Sequence, residues 1–381
     1  MRVLIVSDVS GNMHGGVPTE TVHLLHGLSA RGHELALCAD VPPRGVKDVA
    51  CHFPLTIPTD GDLRRQVGKA VESFDPDVIH VMAMSSRGLF QMAPLVRGRH
   101  WVLTCHSVPP YERKIPWFHA HEPAHYAART LRYLPHAAAW KWLFRRGMVP
   151  HAIVHSEVVR DIVVRYGQPA CATSLIHFGG DFADLGIATL PAAVLCATAG
   201  PRILTMGGIA HTKGLHDAVV ALAELRRDFP ALSYQIIGEI RDPSYMHFLR
   251  RTIDRLGLSD CVCMTPSLPQ AQKQDALRSA DLYLQPSHEE GFCLAYIEAA
   301  VMVPRLVGTD TGAIRLIGAG DQAVRTVPIR QPGQMAAAIR ELLAADLSPD
   351  VLVRRGERLR RRFSWSAYLD DHEALYRRAT A

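Results

Sequence analysis

Short hydrophobic runs alternate with longer amphipathic segments along almost the whole chain. The runs are nearly continuous and rich in β-branched residues, which is typical of parallel strands covered on both faces. The segments between them carry apolar residues at helical spacing, as at Val219, Leu222 and Leu225. The predicted strands are residues 2–8, 34–40, 77–83, 101–106, 151–156, 173–178, 202–207, 233–238, 261–265, 281–286 and 305–308.

Strand–helix alternation of this kind predicts α/β units with right-handed crossovers. The strands fall into two sets, and the segment between the sets is rich in Gly, Ala and Pro with weak periodicity. We therefore predict two doubly wound, Rossmann-like α/β domains that face a cleft, where ligands bind outside the carboxyl ends of the strands. The predicted parts are a domain at 1–180, a linker at 181–201, a domain at 202–360 and a C-terminal helix at 361–381 that crosses back to the first domain.

The composition narrows the class of protein. The chain has 381 residues, 48% of them hydrophobic, and a formal net charge of +5. That charge suits phosphorylated substrates or anionic lipid but falls short of a dedicated nucleic-acid binder. No apolar stretch reaches the roughly 18 residues that a membrane span needs, and residues 1–8 fit a buried strand better than a signal peptide. The eight cysteines lack zinc spacing, so we expect a reduced, cytoplasmic protein.

The most informative segment is residues 285–300, QPSHEEGFCLAYIEAA, which leaves a predicted strand and enters a predicted helix near residue 291 or 292. Glu290 lies at the helix mouth and Glu298 about 12 Å further along the axis, so the two acids can reach opposite ends of an elongated ligand. Peptide N–H groups at a helix start bind anions. The groups expected to do so are those of Phe292, Cys293 and Leu294. A nucleotide diphosphate-sugar fits this pattern, although a first-turn acid and a surface glutamate would explain the two acids as well.

Two glycine-containing loops follow predicted strands. In the first, residues 205–215, Gly207 and Gly208 permit close backbone approach and Lys213 could neutralise a diphosphate; the spacing is not that of a P-loop. In the second, residues 11–16, a glycine pair ending at Gly16 permits a ligand to approach, but the GxGxxG spacing of dinucleotide-binding proteins is missing. A solvated lysine and a tight turn are the structural alternatives.

Taken in order, these segments resemble the retaining GT-B glycosyltransferases of glycosyltransferase family 4. The resemblance covers nearly the whole chain, and its specific part is Glu290 and Glu298 within the PS–EGF frame. The weaker matches are the N-terminal glycine pair, residues 28–34, 77–80, 104–106, 179–181, 207–214 and 363–365.

The resemblance implies a role for each matching residue. Glu290 would contact hydroxyls of the donor sugar and Glu298 the ribose, while Lys213 would stabilise the leaving diphosphate. Gly238 would lie beside the base, and His106 would reach the sugar and the acceptor from the N-terminal domain. The implied reaction retains the anomeric configuration and uses no metal and no cofactor beyond the nucleotide diphosphate-sugar. Capsule, lipopolysaccharide, exopolysaccharide, glycolipid and natural-product pathways all stay open.

The chain departs from the family pattern at several positions. Gly208 stands where the family usually has a basic residue, and Arg315 follows Thr311 and Gly312 where the family has a glycine pair and a glutamate. We hypothesise that Arg315 supplies the positive charge missing at position 208.

Basic and aromatic residues are interleaved over residues 111–148. This pattern predicts either an interfacial surface for an anionic membrane and a lipid-linked acceptor, or a helix whose aromatics pack in the core while its arginines face water. The candidate acceptor-side or membrane-side residues are Arg129, Arg132, Lys141, Trp142 and Arg145. No RNA- or DNA-binding motif accompanies them, so we expect no nucleic-acid partner.

Three alternatives to a sugar transferase stay open at this point. One is a nucleotide-sugar epimerase on the same fold, and another is a non-catalytic nucleotide-sugar binder, which Gly208 and Arg315 would suit. A nicotinamide-dependent dehydrogenase is the third and fits least, because the GxGxxG spacing is absent.

Overall fold

The computed structural model describes residues 1–7, 16–41, 49–55, 63–84, 86–106, 123–180, 200–348 and 350–381, with side chains at all of these except 83, 86–87 and 123–133. The chain divides into two compact units, one formed by Met1–Gly179 with Trp365–Ala381 and the other by Gly180–Ser364. The predicted linker lies almost wholly outside the described residues, as does the N-terminal glycine loop up to residue 15.

The first unit is built on a seven-stranded sheet of order β3-β2-β1-β4-β5-β6-β7, and all of its strand pairs are parallel. Its strands are β1 (Arg2–Ser7), β2 (Glu34–Ala39), β3 (Cys51–Pro54), β4 (Val78–Ala83), β5 (Trp101–Cys105), β6 (Ala152–Val154) and β7 (Thr173–Leu175). Its helices are α1 (Gly16–Ala30), α2 (Leu63–Phe74), α3 (Ser86–Met92), α4 (Pro123–Arg145), α5 (Glu157–Arg165) and α13 (Trp365–Thr380).

The last helix of the chain completes one face of this sheet. Helix α13 packs against α1 and β4, and Gly27 of α1 gives it room, because a Cβ at position 27 would lie 2.3 Å from the side chain of Leu369. Tyr368 and Tyr376 of α13 are buried in one cluster with Val3 and Leu28. The first unit therefore buries its sheet on both sides, as near-continuous hydrophobic strands require.

The second unit is built on a six-stranded sheet of order β10-β9-β8-β11-β12-β13, again with parallel pairs. Its strands are β8 (Arg202–Met206), β9 (Ser233–Ile237), β10 (Val262–Thr265), β11 (Leu282–Gln285), β12 (Arg305–Thr309) and β13 (Val324–Val327). Its helices are α6 (Leu215–Leu225), α7 (Pro243–Arg255), α8 (Gln270–Ser279), α9 (Leu294–Ala300), α10 (Ile314–Gly318), α11 (Pro332–Ala344) and α12 (Asp350–Arg362).

The chain order reverses at the centre of the second sheet. From β8 the chain passes outward to β9 and β10, then returns to the other side of β8 with β11 and continues to β12 and β13. Strands β8 and β11 pair with Leu282 opposite Ile203. A crevice forms outside the carboxyl ends of strands at such a switch point, so the loops after β8 and β11 are where a ligand is expected.

The structure confirms every strand that the hydrophobic pattern predicts, with ends that differ by up to three residues. It adds two strands that the pattern missed, β3 and β13, which lie at the edges of the two sheets. None of the helices in the described part of the chain has the length and apolar character needed to cross a bilayer. All cysteines in that part are free thiols.

Candidate active site

The loops after β8 and β11 are joined at the switch point by their backbones. A short 3₁₀ turn, His211–Lys213, follows β8, and the carbonyl of Thr212 accepts the N–H groups of His288 (2.8 Å) and Glu289 (3.3 Å). Gly214 makes this approach possible, since it has φ of 59° and a Cβ there would lie 2.0 Å from the carbonyl oxygen of Pro286. The fold thus brings Lys213 and Glu290 to one place.

The two predicted charged residues form an ion pair. Lys213 Nζ lies 2.6 Å from Glu290 Oε1, with the lysine side chain 26% exposed and the glutamate side chain 9% exposed. Burial is the largest single influence and would lower the pKa of Lys213, but the charge of Glu290, its hydrogen bond and the neighbouring Cys293 together leave that pKa above its ordinary value. The site therefore presents a protonated amine, and its counter-ion, to whatever binds at the switch point.

Glu290 Oε1 is held by two further donors that the sequence reading missed. Ser287 Oγ donates at 2.6 Å and Gln285 Nε2 at 3.2 Å. The amide of Gln285 is itself fixed, because its Oε1 accepts from Tyr283 at 2.8 Å. The Pro-Ser dipeptide before the acids was the available signal, although it predicts a turn rather than a contact with Glu290.

Glu298 lies on α9 and is partly buried. The pKa of Tyr283 is raised well above its ordinary range, first by burial and then by the charges of neighbours that include Glu298 and Glu290. The structure therefore brings both acids of the motif near one buried tyrosine of β11.

Helix α9, which carries Glu298, starts later than predicted. Helix α9 begins at Leu294, and Cys293 precedes it in the left-handed region with φ of 84°. Glu290 and Phe292 consequently lie in the loop, so the predicted spacing of the acids along one helix axis is wrong. A non-glycine residue in that region costs about 1–2 kcal/mol, and such strain gathers at functional sites.

A third loop, which follows β12, packs against the segment of Glu290 and Phe292. Gly312 has φ of 54°, and a Cβ there would lie 2.7 Å from the carbonyl oxygen of Phe292 and 2.9 Å from Cβ of Glu290. The N–H of Ala313 donates to that same carbonyl at 2.9 Å. The Thr-Gly sequence at 311–312 therefore keeps the close approach that the motif needs.

The glycines predicted to line the donor site have distinct surroundings. Gly238 lies against the loop after β8, because a Cβ there would be 1.9 Å from the carbonyl oxygen of Gly207. Gly208 is covered by the side chain of Arg241. Gly16 is the first residue of α1, in the other unit.

Arg315, the hypothesised replacement for a basic residue at 208, has a different partner. Its guanidinium pairs with the carboxylate of Asp310 and its side chain is 74% exposed. The observed contact is a surface ion pair, which contributes little to stability.

His106 belongs to the first unit, where it takes part in a buried polar cluster. Its Nδ1 lies 3.3 Å from Glu20, whose other oxygen lies 3.2 Å from His155 Nε2. Tyr368 of α13 donates to Glu20 at 2.5 Å. Burial lowers the pKa of His106 to about 4 and raises that of Glu20 to about 8. The histidine is therefore neutral at pH 7.

Two groups within the described residues have side chains that could hold a metal ion. Each group places its ligand atoms within 4.8 Å of one another; they are Glu20 with His106 and His155, and His216 with Asp217 and His288. In the second group, His288 Nε2 donates to Asp217 at 2.6 Å and the ring of His216 contacts the hydroxyl of Tyr245 at 2.9 Å. Hydrogen bonds thus account for much of the second group, whereas Glu20 Oε2 and His155 Nε2 of the first group have no hydrogen-bond partner among the described residues.

The predicted acceptor-side residues lie on helix α4. The side chains of Arg129 and Arg132 fall outside the described residues. Lys141 Nζ lies 4.8 Å from the ring centroid of Tyr166, Arg145 is exposed, and Trp142 is 43% exposed. Trp140 is buried in the core of the unit. The aromatics of this helix therefore divide between core and surface, and contact with a membrane stays a prediction.

Two family models match the chain, and together they cover residues 14–359 except for a short gap. The model described as Glycosyltransferase Family 4 matches residues 14–183, and that described as Glycosyl transferases group 1 matches residues 190–359. The resemblance drawn from the motifs is therefore confirmed in both halves of the chain.

Curated relatives fall into two groups by the length that matches. The chain is 33% identical over 175 residues to a D-inositol 3-phosphate glycosyltransferase of Segniliparus rotundus, but this covers only 46% of the chain and 39% of that protein. A D-inositol 3-phosphate glycosyltransferase of Kineococcus radiotolerans is 28% identical over 58% of the chain and 55% of its own length. A phosphatidyl-myo-inositol mannosyltransferase of Mycolicibacterium smegmatis is 24% identical over 96% of the chain and 91% of its own length.

Solved structures match over almost the full chain. Sucrose-phosphate synthase of Thermosynechococcus elongatus superposes with a TM-score of 0.76 at 18% identity, covering 99% of this chain and 98% of that one. Anabaena HepE in complex with UDP-glucose gives 0.71 at 16% identity, covering 98% and 99%. These neighbours show the GT-B fold. With the two family matches, they establish that the chain belongs to the GT-B glycosyltransferases of family 4.

Proposed function

We propose that this glycosyltransferase moves a hexose or N-acetylhexosamine from a UDP- or GDP-linked donor to a glycan, glycolipid or lipid-linked acceptor, with retention and without a divalent metal. The observation that carries the proposal is the Lys213–Glu290 pair at the switch point of the second sheet. A partly exposed cation at that edge suits a ligand with a diphosphate in its middle.

The reaction needs stabilisation of the charge that leaves with the diphosphate. As the bond from the anomeric carbon to the diphosphate oxygen breaks, its electron pair stays on that oxygen, and Lys213 Nζ would neutralise it. The acceptor hydroxyl attacks the same face of the sugar and passes its proton to the departing phosphate. Glu290 would accept hydrogen bonds from sugar hydroxyls, and Glu298 from the ribose. Preorganised charge of this kind is commonly the largest contribution to catalysis.

Names of similar proteins suggest which substrates to try. Anabaena HepE is described as a complex with UDP-glucose, and curated relatives are named for inositol 3-phosphate and phosphatidyl-myo-inositol. We therefore propose a first panel of UDP- and GDP-sugars with inositol 3-phosphate, phosphatidylinositol and simple glycans as acceptors.

Calorimetry with UDP, GDP, ADP and dTDP, each in EDTA, tests the donor half of the proposal. We expect one of the diphosphates to bind, followed by metal-independent transfer of its sugar with retained configuration by NMR. Binding without transfer to any acceptor would favour a non-catalytic homologue, and a changed donor sugar without acceptor would favour an epimerase. Failure of every diphosphate to bind would refute the proposal.

We further propose that the exposed end of α4 touches an anionic membrane that carries the acceptor. Trp142 is 43% exposed and contacts Phe90 at 5.1 Å between ring centroids, with exposed Arg145 at the end of the helix and exposed Arg146 directly after it. Exposed aromatics flanked by arginines are typical of interfacial surfaces.

Vesicle sedimentation tests this surface. We expect the protein to sediment with vesicles containing phosphatidylglycerol at low salt, to do so less at 0.5 M salt, and to lose binding when Trp142→Ala is combined with Arg145→Ala. The matched control is Arg250→Ala, which removes an exposed arginine from the second unit. Equal sedimentation of both variants would contradict the proposal.

A further inference from the structure

The side chain of Arg241 occupies the space beside Gly208. A Cβ built at Gly208 would lie 2.6 Å from Cδ and 2.7 Å from Nε of Arg241. Gly208 has no need of a positive φ. The absence of a side chain at Gly208 is therefore not needed for a turn. It leaves room for the side chain of Arg241, which belongs to another loop.

Backbone hydrogen bonds hold that arginine in place. The loop after β9 runs beside the loop after β8, with Ile209 N–H donating to Glu239 O at 2.7 Å and Arg241 N–H donating to Ile209 O at 3.1 Å. The next residue, Asp242, caps α7 by accepting from the N–H of Tyr245 at 3.0 Å. Arg241 thus lies in a segment after the carboxyl end of β9 that backbone hydrogen bonds fix in place.

The guanidinium also lies within electrostatic reach of Lys213. Its positive charge is one of the influences that lower the pKa of Lys213, opposing the rise caused by Glu290. Lys213 Cε lies 3.9 Å from a Cβ built at Gly207, the glycine next to the one that Arg241 covers. Two cations and a glycine pair therefore meet at the ends of β8 and β9. Lys213 is paired with Glu290, and Arg241 adds a second positive charge at the same edge, which favours an anionic ligand there.

The structure assigns to Arg241 the second positive charge for the donor's diphosphate: we propose that its guanidinium binds the phosphates across Gly208, together with Lys213. This inference rests on the proposed function and deepens it by naming a donor-binding residue outside the sequence motif. A planar guanidinium can bind two phosphate oxygens at once, whereas the lysine acts as a point charge. Arg315, paired with Asp310 at the surface, is not needed for this role.

An exchange of side chains tests the inference. Calorimetry is run with UDP and UMP, or GDP and GMP if guanine is the preferred base, and the readout is the gain in affinity that the second phosphate brings. We expect Arg241→Ala to weaken diphosphate binding by about 10- to 100-fold and to reduce that gain. Arg250→Ala, an exposed arginine on α7, is the matched control and should leave both values unchanged.

The double variant Gly208→Arg with Arg241→Ala should recover most of the lost diphosphate affinity, because it returns a guanidinium to the same space from the other loop. Unchanged diphosphate binding in Arg241→Ala would overturn the inference while leaving the proposed function intact. An equal loss for the monophosphate and the diphosphate, unrelieved by the exchange, would show a structural role and overturn it too. A wild-type protein that binds neither diphosphate would overturn the proposed function itself.

Discussion

One oxygen, Glu290 Oε1, connects the side chains at the switch point. It accepts hydrogen bonds from Lys213, Ser287 and Gln285. Three donors on one carboxylate oxygen fix the acid and, through it, the lysine. Positions held in this way lose little freedom when a ligand binds, which favours both affinity and catalysis.

Removing the lysine amine should harm transfer more than folding. We expect Lys213→Ala to lower kcat/KM for sugar transfer by about 10²- to 10³-fold, because the charge leaving with the diphosphate loses its counter-ion. Lys273→Ala on α8 removes an equal charge from the same unit and serves as the control in the same steady-state assay. Comparable activity of the two variants would show that Lys213 has no part in the reaction.

Buried titrating groups in the first unit set its dependence on pH. Burial lowers the pKa of His106 and His372 to about 4 and holds those of His80 and His155 well below their ordinary value of 6.5. The unfolded chain binds these protons below pH 6.5 and the folded chain does not, so acid reduces the free energy of unfolding. Glu20 acts in the opposite sense, because its folded pKa of about 8 lies above its ordinary 4.5.

For Glu20, the stabilisation is complete below pH 4.5 and is lost as the pH rises towards 8. Among these five groups, only Glu20 still titrates above pH 6.5. We therefore expect the urea stability of the first unit to fall between pH 6.5 and pH 8, and Glu20→Gln to flatten that fall. Parallel pH profiles for wild type and variant would contradict this assignment.

Loops, rather than helices or strands, decide whether the second unit has a site. Gly214, Gly238 and Gly312 each let one loop approach the backbone of the next. Because strands β8, β9, β11 and β12 all end at this edge, four loops must fit within a small volume. The glycines supply that fit.

Gly214 and Gly257 form a matched pair for testing the fit. Both have positive φ, but nothing lies within 4 Å of a Cβ at Gly257, whereas one at Gly214 would strike the carbonyl of Pro286. We expect Gly257→Ala to lower the free energy of unfolding by about 1 kcal/mol, and Gly214→Ala by at least about 2 kcal/mol more, with loss of diphosphate binding. Denaturant titration and calorimetry measure the two effects. Equal costs would mean that only backbone conformation matters there.

Local patterns predicted the central strands well because those strands are buried on both faces and read as continuous hydrophobic runs. Strand β3 was missed because its residues, Cys51–Pro54, are largely exposed at a sheet edge and include a proline. The start of α9 was misplaced because Cys293 has a positive φ, which is not expected of a cysteine from its residue type. Lys213 and Glu290 were recognised from the sequence of their own segments. Arg241 was not, because its side chain contacts Gly208 of another loop and the sequence around residue 241 does not indicate that contact.

At the scale of the whole molecule, the two family models match consecutive halves of the chain. The two compact units follow the same order except at the C-terminus, which belongs to the first unit. Residues after 364 belong to the first unit, so the second unit is a single continuous segment and the first is made of two separated ones. The chain therefore enters the second unit once and leaves it once.

This arrangement has a consequence for synthesis on the ribosome. Domains ordinarily fold in the order in which they emerge, the N-terminal one first. Here Tyr368 and Tyr376, which close the core around Val3 and Leu28, are translated after the whole second unit. The unit that emerges first must wait with an open core until the last helix arrives. Chains arrested once residue 364 has left the exit tunnel should therefore resist protease in the later unit and be cut in the earlier one.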